Sequence, residues 1–396
     1  MKSIRSLLIS RGRALFIALV LFVLVATPLL YKLGSLQGGM STTETALPSV
    51  THSLHVALHD PLELPLLVTR IVVALISPTA GQTVSRLPNA ILGGIAVLLF
   101  YWLARRWYGL RVALYGTALF LASPWFLRVA RLATSDIVYV LGMLLFIALF
   151  IALPRYGNRQ WLLYLSAILF SGLLYIPGFV WFILVLLIAQ RRVLKEIWKV
   201  HGGWVRKPLW LILALATLAP LVWALIRNSR LLTTWAGLPS HLPHPITLAH
   251  HLRDTVLSIF VHSNLSPTLS LGHLPLLDAL SIALFVIGLV FYGRHPKAAR
   301  LKLLGSLFII GLALVTIGGP VPISILLPLV FIIISGGIAY LLHEWLSVFP
   351  RNPVARGFGF GLLAIVLLLG IGYDLRQYFV AWPHNKRTQA NFQVTR

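Results

Sequence analysis

Two carboxylates and four arginines stand out in a chain with few charges to place. Of 396 residues, nine are acidic and 33 are Lys or Arg, and charged residues make up 11%. A typical soluble domain carries about 25%. Glu44 lies in Ser41-Thr42-Thr43-Glu44. That spacing suits a capping box, in which Ser41 opens a helix and Glu44 folds back onto its first amide. It equally suits a general base held just above a bilayer, because a positioned carboxylate takes a proton from an attacking hydroxyl. Asp136 follows Arg128-Val129-Ala130-Arg131-Leu132-Ala133-Thr134-Ser135. Read plainly, Asp136 caps a helix while Arg128 and Arg131, three apart on one helical face, snorkel to water. Read more sharply, they form a charged site at the membrane edge, where ionisable groups are costly and mark function. Arg70 and Arg86 add two cations at the same level. Guanidinium forks match phosphate oxygens bidentately, so Arg86, Arg128, Arg131 and Arg70 are the candidates to cradle a phosphate.

Other residue types offer less. The segment 227–274 is rich in histidine: His241, His244, His250, His251, His262 and His273. His250 and His251 precede Asp254 at a ligand-like spacing, but no HExxH pattern is present and no metal site is expected. The absence of cysteine excludes disulfides and thiolate metal centres.

The elements that position these residues must be membrane helices. Apolar residues make up 58% of the chain, and a bilayer core about 30 Å thick takes roughly 20 apolar residues as one helix. The pattern predicts an all-α, polytopic bundle of about eleven spans as a single membrane domain. They lie near 14–31, 86–104, 111–127, 137–153, 161–175, 177–190, 208–226, 275–292, 303–317, 321–342 and 357–373. Lys2, Arg5, Arg11 and Arg13 precede the first apolar run, which is long enough to span and lacks a small-residue cleavage site. A net charge of +24 would suit a nucleic-acid partner. Most Lys and Arg instead fall in short loops on one side, the positive-inside pattern, so no nucleic-acid partner is expected. This orientation puts the N-terminus in the cytoplasm. The loops 32–85 and 227–274 and the tail 374–396 then lie outside. Segment 161–190 reads as a hairpin broken at Gly172, Pro177 and Gly178, because that keeps the basic run 191–207 inside. Segment 64–77, with Arg70 at its centre, is short for a span and suits an interfacial helix. Glu44 and Asp136 thus fall on the outer face.

The order of these features resembles a known family. A basic start and one span lead to an outer loop with an acidic residue. His59-Asp60-Pro61-Leu62-Glu63-Leu64-Pro65 follows, then Arg86-Leu87-Pro88-Asn89-Ala90 and Leu103-Ala104-Arg105-Arg106-Trp107-Tyr108-Gly109. Ala122-Ser123-Pro124-Trp125 and the stretch from Arg128 to Asp136 complete the string. Over about residues 10–190 this resembles the N-terminal half of GT-C membrane glycosyltransferases, of the protein O-mannosyltransferase and lipid A aminoarabinose transferase type. The resemblance implies transfer of a sugar from a polyprenyl-phosphate donor to a hydroxyl of a lipid, glycan or protein acceptor, on the outer face of the cell membrane. It makes Glu44 the catalytic base and matches Asp136 to the acidic residue of the second outer loop. The family often carries an Asp-Glu pair in the first loop where this chain has Thr43-Glu44. Asp60, Glu63 and His59 are therefore possible substitutes.

Two other readings compete. An O-antigen-ligase or polymerase-like enzyme would use His and Arg residues of 227–274, such as His251 and Arg253. A lipid or solute transporter would place ionisable residues near the middle of the spans, which the span centres here lack.

Overall fold

The computed structural model describes residues 20, 22–36, 38–45, 61–63, 81–156, 160–192, 195–196, 206–294, 298–349 and 351–392. Among them there are helices and turns and no strand. After α1 (residues 22–30) and the four-residue α2 (Thr42–Thr45) comes a 3-10 turn, Pro61–Glu63. Then follow α3 (Gln82–Tyr108), α4 (Leu110–Ala122), α5 (Pro124–Arg131), α6 (Asp136–Tyr156), α7 (Gln160–Leu173) and α8 (Phe179–Ala189). The second half holds α9 (Arg206–Arg227), α10 (Arg230–Trp235), α11 (Pro245–Phe260), α12 (Ala279–Gly293) and α13 (Ala299–Thr316). A 3-10 turn, Ile323–Leu326, leads into α14 (Leu327–Val348). Finally α15 (Pro353–Arg376) passes through a π-helical turn, Gln377–Ala381, and the chain closes with α16 (Lys386–Phe392).

By length and composition, five helices among the described residues are able to cross a membrane, or six if the bent pair α4–α5 counts as one span. Four more, within α7, α8, α9 and α12, are apolar but shorter. Length alone therefore does not reproduce a count of eleven. The segment read as one span over 111–127 is a correction: α4 stops at Ala122, and α5 leaves it at 63°. Pro124 disfavours helical backbone at Ser123, which is extended (ψ 127°), and then starts α5 in its own first turn. The break read in 161–190 falls between α7 and α8, where Gly178 sits at φ +81°. Glycine tolerates that left-handed backbone without cost.

The centre of the bundle is α14, buried on all sides from Leu327 to Ile338, as a helix apolar all round must be. It crosses α12 in backbone contact. A Cβ on Gly288 would run into the Ile333 carbonyl, and one on Gly337 into the Leu284 carbonyl. Small residues at crossings let membrane helices approach this closely. Replacing Gly337 by Val drives the two helices apart, and detergent-purified Gly337→Val is expected to lose its monodisperse peak in size exclusion while Gly361→Val, in open space, keeps it.

Candidate functional site

Several buried polar residues, Ser41, Glu44, Arg86, Asn89 and Arg131, gather where α1, α3, α5 and α6 meet. The gathering starts with helix chemistry. Arg86 and Asn89 are three apart near the start of α3, so they share a face. The kink at Ser123 turns α5 across the bundle end, and its residues Pro124 to Arg131 are all buried. Leu132 (ψ 146°) ends α5, and a short turn leads to Asp136 at the start of α6.

Glu44 is the hub that ties these pieces together. Ser41 N–H donates to its Oε2 at 2.9 Å, and the Ser41 hydroxyl accepts from the Glu44 amide at 3.3 Å. This is the reciprocal capping box that the spacing foreshadowed. Arg86 Nε donates to Oε1 at 2.8 Å and Nη2 to Oε2 at 2.9 Å, a bidentate pair with both side chains fully buried. The Ala133 amide donates to Oε1 at 2.9 Å. A carboxylate offers about four lone-pair sites, and all are engaged here. Burial pushes the Glu44 carboxyl up, but the hydrogen bond and charge of Arg86, with the Ser41 and Ala133 amides, outweigh it and hold it below its usual value. A carboxylate so tied is poorly placed to accept a further proton. Arg86 is equally occupied, since Nη1 donates to the Leu33 carbonyl at 3.2 Å and Nη2 to that of Gly39 at 2.8 Å. Its forks bind the first loop and not an incoming phosphate.

The depressed carboxyl has a consequence for pH. A group whose folded pKa lies below its unfolded value of 4.5 adds stability above that pH and loses it as pH falls through the folded value. The difference in melting temperature between the wild type and Glu44→Gln, measured in detergent, is therefore expected to hold between pH 7 and 5 and to shrink below 4.5.

Asn89 completes the clamp. Its Nδ2 donates to the carbonyls of Leu132 and Thr134, on either side of the amide that Glu44 holds. The turn 132–134 is thus gripped from both polarities, and Asp136 stands two residues beyond it. Asp136 is half-buried and, among the described residues, has neither an ion pair nor a capping hydrogen bond. The helix-cap reading of Asp136 is therefore not realised.

Arg128 and Arg131 do not snorkel, a second correction. Each is 1% exposed. Arg131 donates to the carbonyls of Pro28 and Tyr31 at the end of α1 and lies over the rings of Tyr378 and Phe379. Arg128 donates Nη1 to the Leu269 carbonyl at 2.8 Å and lies 5.5 Å from the Trp382 ring. Its Nε and Nη2, the edge that matches an oxyanion, have no partner among the described residues. The C-terminal segment 374–396, read as a tail on the outer face, packs against the bundle as far as it is described. Tyr378, Trp382 and Phe392 belong to the core, and Trp382 donates Nε1 to the Pro267 carbonyl at 2.9 Å.

Arg70, His59 and Asp60 lie outside the described residues, and of Glu63 only the backbone is described. Among the histidines of 227–274, His251 is paired with the Thr316 carbonyl at 3.2 Å, and Arg253 with Asp254 in an exposed ion pair. Among the described residues no three His, Asp or Glu side chains group as metal ligands. The sequence reading missed Asn89, Asp374, Tyr378 and Trp382. For Asn89 a signal existed, its place three residues after Arg86; the other three had none.

The comparisons with known proteins agree with this architecture. A family model described as dolichyl-phosphate-mannose-protein mannosyltransferase matches residues 64–223, which include Arg70, Arg86, Arg128, Arg131 and Asp136. The fold is similar to ArnT from Cupriavidus metallidurans in the apo state, with a TM-score of 0.58 at 14% identity, over 96% of this chain and 77% of that one. It is likewise similar to the same protein bound to undecaprenyl phosphate, with a TM-score of 0.58 at 13% identity, over 94% and 76%. No curated protein matches the chain significantly. The resemblance to GT-C membrane glycosyltransferases read from the sequence is thus met twice, in the family match and in the fold.

Proposed function

We propose, taking the mannosyltransferase-family match and the ArnT-like fold as the premise, that the chain moves a sugar from a polyprenyl-phosphate donor to an acceptor hydroxyl at the outer face of the cell membrane. The N-terminus then lies in the cytoplasm, and the polar end of the bundle faces out. The observation that carries this reading is one juxtaposition. Arg128, whose oxyanion-matching edge has no partner among the described residues, and Asp136, with its carboxylate unpaired, belong to one short α5–turn–α6 unit.

In this reading the acceptor oxygen attacks the anomeric carbon as the bond from that carbon to the phosphate oxygen breaks. Asp136 takes the proton from the attacking hydroxyl, a step worth about 100- to 10,000-fold. Arg128 meets the charge that grows on the departing polyprenyl phosphate. Arg131 holds α5 to α1. Glu44, Arg86 and Asn89 position the turn before Asp136. This assigns the base to Asp136 and makes Glu44 a positioning residue, because Glu44 has no free oxygen in its bidentate pair. Should Glu44 instead be the base, Arg86 must let go of it first. Arg70 lies near the same level by sequence and is a further donor-phosphate candidate.

The test is binding. Purified protein in nanodiscs is expected to bind undecaprenyl phosphate, and Arg128→Ala to weaken that binding by about tenfold or more, the worth of one charged hydrogen bond. Absence of binding to the wild type, or equal binding by Arg128→Ala, sinks the donor-site assignment.

A further inference from the structure

Buried polar atoms without a partner are rare in folded proteins, and each asks for an explanation. Here several of them belong to α5 and to the C-terminal segment. Among the described residues they are Nε1 of Trp125, Nε and Nη2 of Arg128, Nε of Arg131, Oδ1 of Asp374, and Oγ1 of Thr388 and Nδ2 of Asn391 on α16. Arg128 and Asp374 are the charged members. Asp374 is 2% exposed and lies within reach of the Arg128 charge, yet among the described residues the two form no ion pair. Arg128 and Asp374 are thus both buried, one with unmet donors and the other with an unmet acceptor among the described residues. The roof above is aromatic: Trp382 stacks on Tyr378 with 5.2 Å between centroids. The roof hangs from a π-helical turn, Gln377–Ala381, a local irregularity that recurs at functional sites.

The chemistry of these atoms narrows what would satisfy them. A bare phosphate only accepts hydrogen bonds, so it satisfies Arg128 and leaves the Asp374 oxygen unmet. A sugar hydroxyl does both jobs, since its oxygen accepts and its hydrogen donates. We propose that Arg128 and Asp374 form a sugar-hydroxyl subsite of the donor, with Asp374 accepting from a hydroxyl of the transferred sugar beside the phosphate. This deepens the transferase reading and rests on it. Asp374 then discriminates a glycosylated lipid phosphate from a bare one, so the carrier leaves once its sugar has gone.

A route to the subsite from the bilayer adjoins Asp374. A groove of about 370 Å³ runs between the outer ends of α12 and α15, lined by Asp278, Leu280, Val366, Leu369, Gly370 and Tyr373. Leu369 and Tyr373 face outward from the bundle, so a lipid chain lying there has its head beside Asp374. Access to Arg128 needs the segments around Leu269 and Trp382 to part, since both lie against it.

The test compares two ligand classes on three proteins in nanodiscs. Undecaprenyl phosphate is titrated against a panel of undecaprenyl-phosphate hexoses and pentoses. The wild type is expected to bind at least one glycosylated member about 10- to 100-fold more tightly than the bare lipid, the worth of one hydrogen bond to a charged group. Asp374→Asn, which keeps the side chain's shape, is expected to lose most of that preference while retaining affinity for the bare lipid. Arg128→Ala is expected to weaken both classes. If Asp374→Asn does not fold, Trp382→Phe, which removes the tie to Pro267, is read in its place and is expected to reduce the same preference. A preference unchanged in the variant read, or absent from the wild type for every member, overturns the subsite and leaves the transferase reading standing. Failure of the wild type to bind either class overturns both.

Discussion

Asp136→Asn is expected to lower kcat for sugar transfer by about 100- to 10,000-fold, the usual contribution of a positioned general base. The donor KM and the melting temperature should change little. The stability part of this expectation comes from geometry: Asp136 is half-buried and unpaired among the described residues, so the isosteric amide removes a charge without orphaning a partner. A loss confined to kcat is the mark of a group that acts in the transition state. Transfer by Asp136→Asn at the wild-type rate removes Asp136 from the chemistry and returns the role to Glu44. Radiolabelled transfer from a glycosylated undecaprenyl phosphate, run alongside a thermal melt in the same detergent, reads both quantities.

Arg86→Ala is expected to act in the opposite way, on the fold first. It strips Glu44 of its bidentate partner and leaves a carboxylate buried without compensation, a change that costs about 3–5 kcal/mol. It also frees the carbonyls of Leu33 and Gly39. The first loop and the turn 132–134 lose their common tie, so the variant should melt well below the wild type and purify poorly. Glu44→Gln is the milder companion, because the amide still accepts from Ala133 and Arg86 but without charge. Replacing both partners together, Arg86→Met with Glu44→Leu, should recover part of the stability, since no buried charge is left alone. It should not recover full activity, because the Ala133 amide stays unheld and Asp136 loses its position. Arg86→Ala that melts at the wild-type temperature would show that the pair does not hold this end of the bundle.

Two carboxylates of one site thus differ by environment more than by type. Glu44 sits among donors and is spent on structure, whereas Asp136 stands two residues beyond a clamped turn with its oxygens free. In the proposed reading the clamp is what positions the second carboxylate as a base. A base must stay within hydrogen-bond reach of the proton it takes, and a helix terminus after a loose turn would wander.

Local rules account for what the chain determined alone. The membrane class, the all-helical fold and the placing of most apolar segments follow from composition and run length, because a bilayer requires helices of a given span. The Ser41–Glu44 capping box is a three-residue pattern and was legible, as were the break at Gly178 and the acidic and basic residues that gather at one end. Family resemblance suggested the proposed reaction, through a string whose members keep their order. The kink at Ser123-Pro124 was present in the letters, yet its effect was to turn Arg128 and Arg131 inward, and direction depends on what the helix packs against. Which carboxylate is tied and which is free was decided only by tertiary structure, because the partners of Glu44 lie 42 and 89 residues away. The same holds for the C-terminal roof. Nothing local marks Asp374, Tyr378 or Trp382 as neighbours of Arg128, and only the packing of α15 and its π-helical turn against α5 brings them there. Helix formation is a matter of near neighbours; charge pairing and burial in a bundle are set by helices that meet from distant parts of the chain.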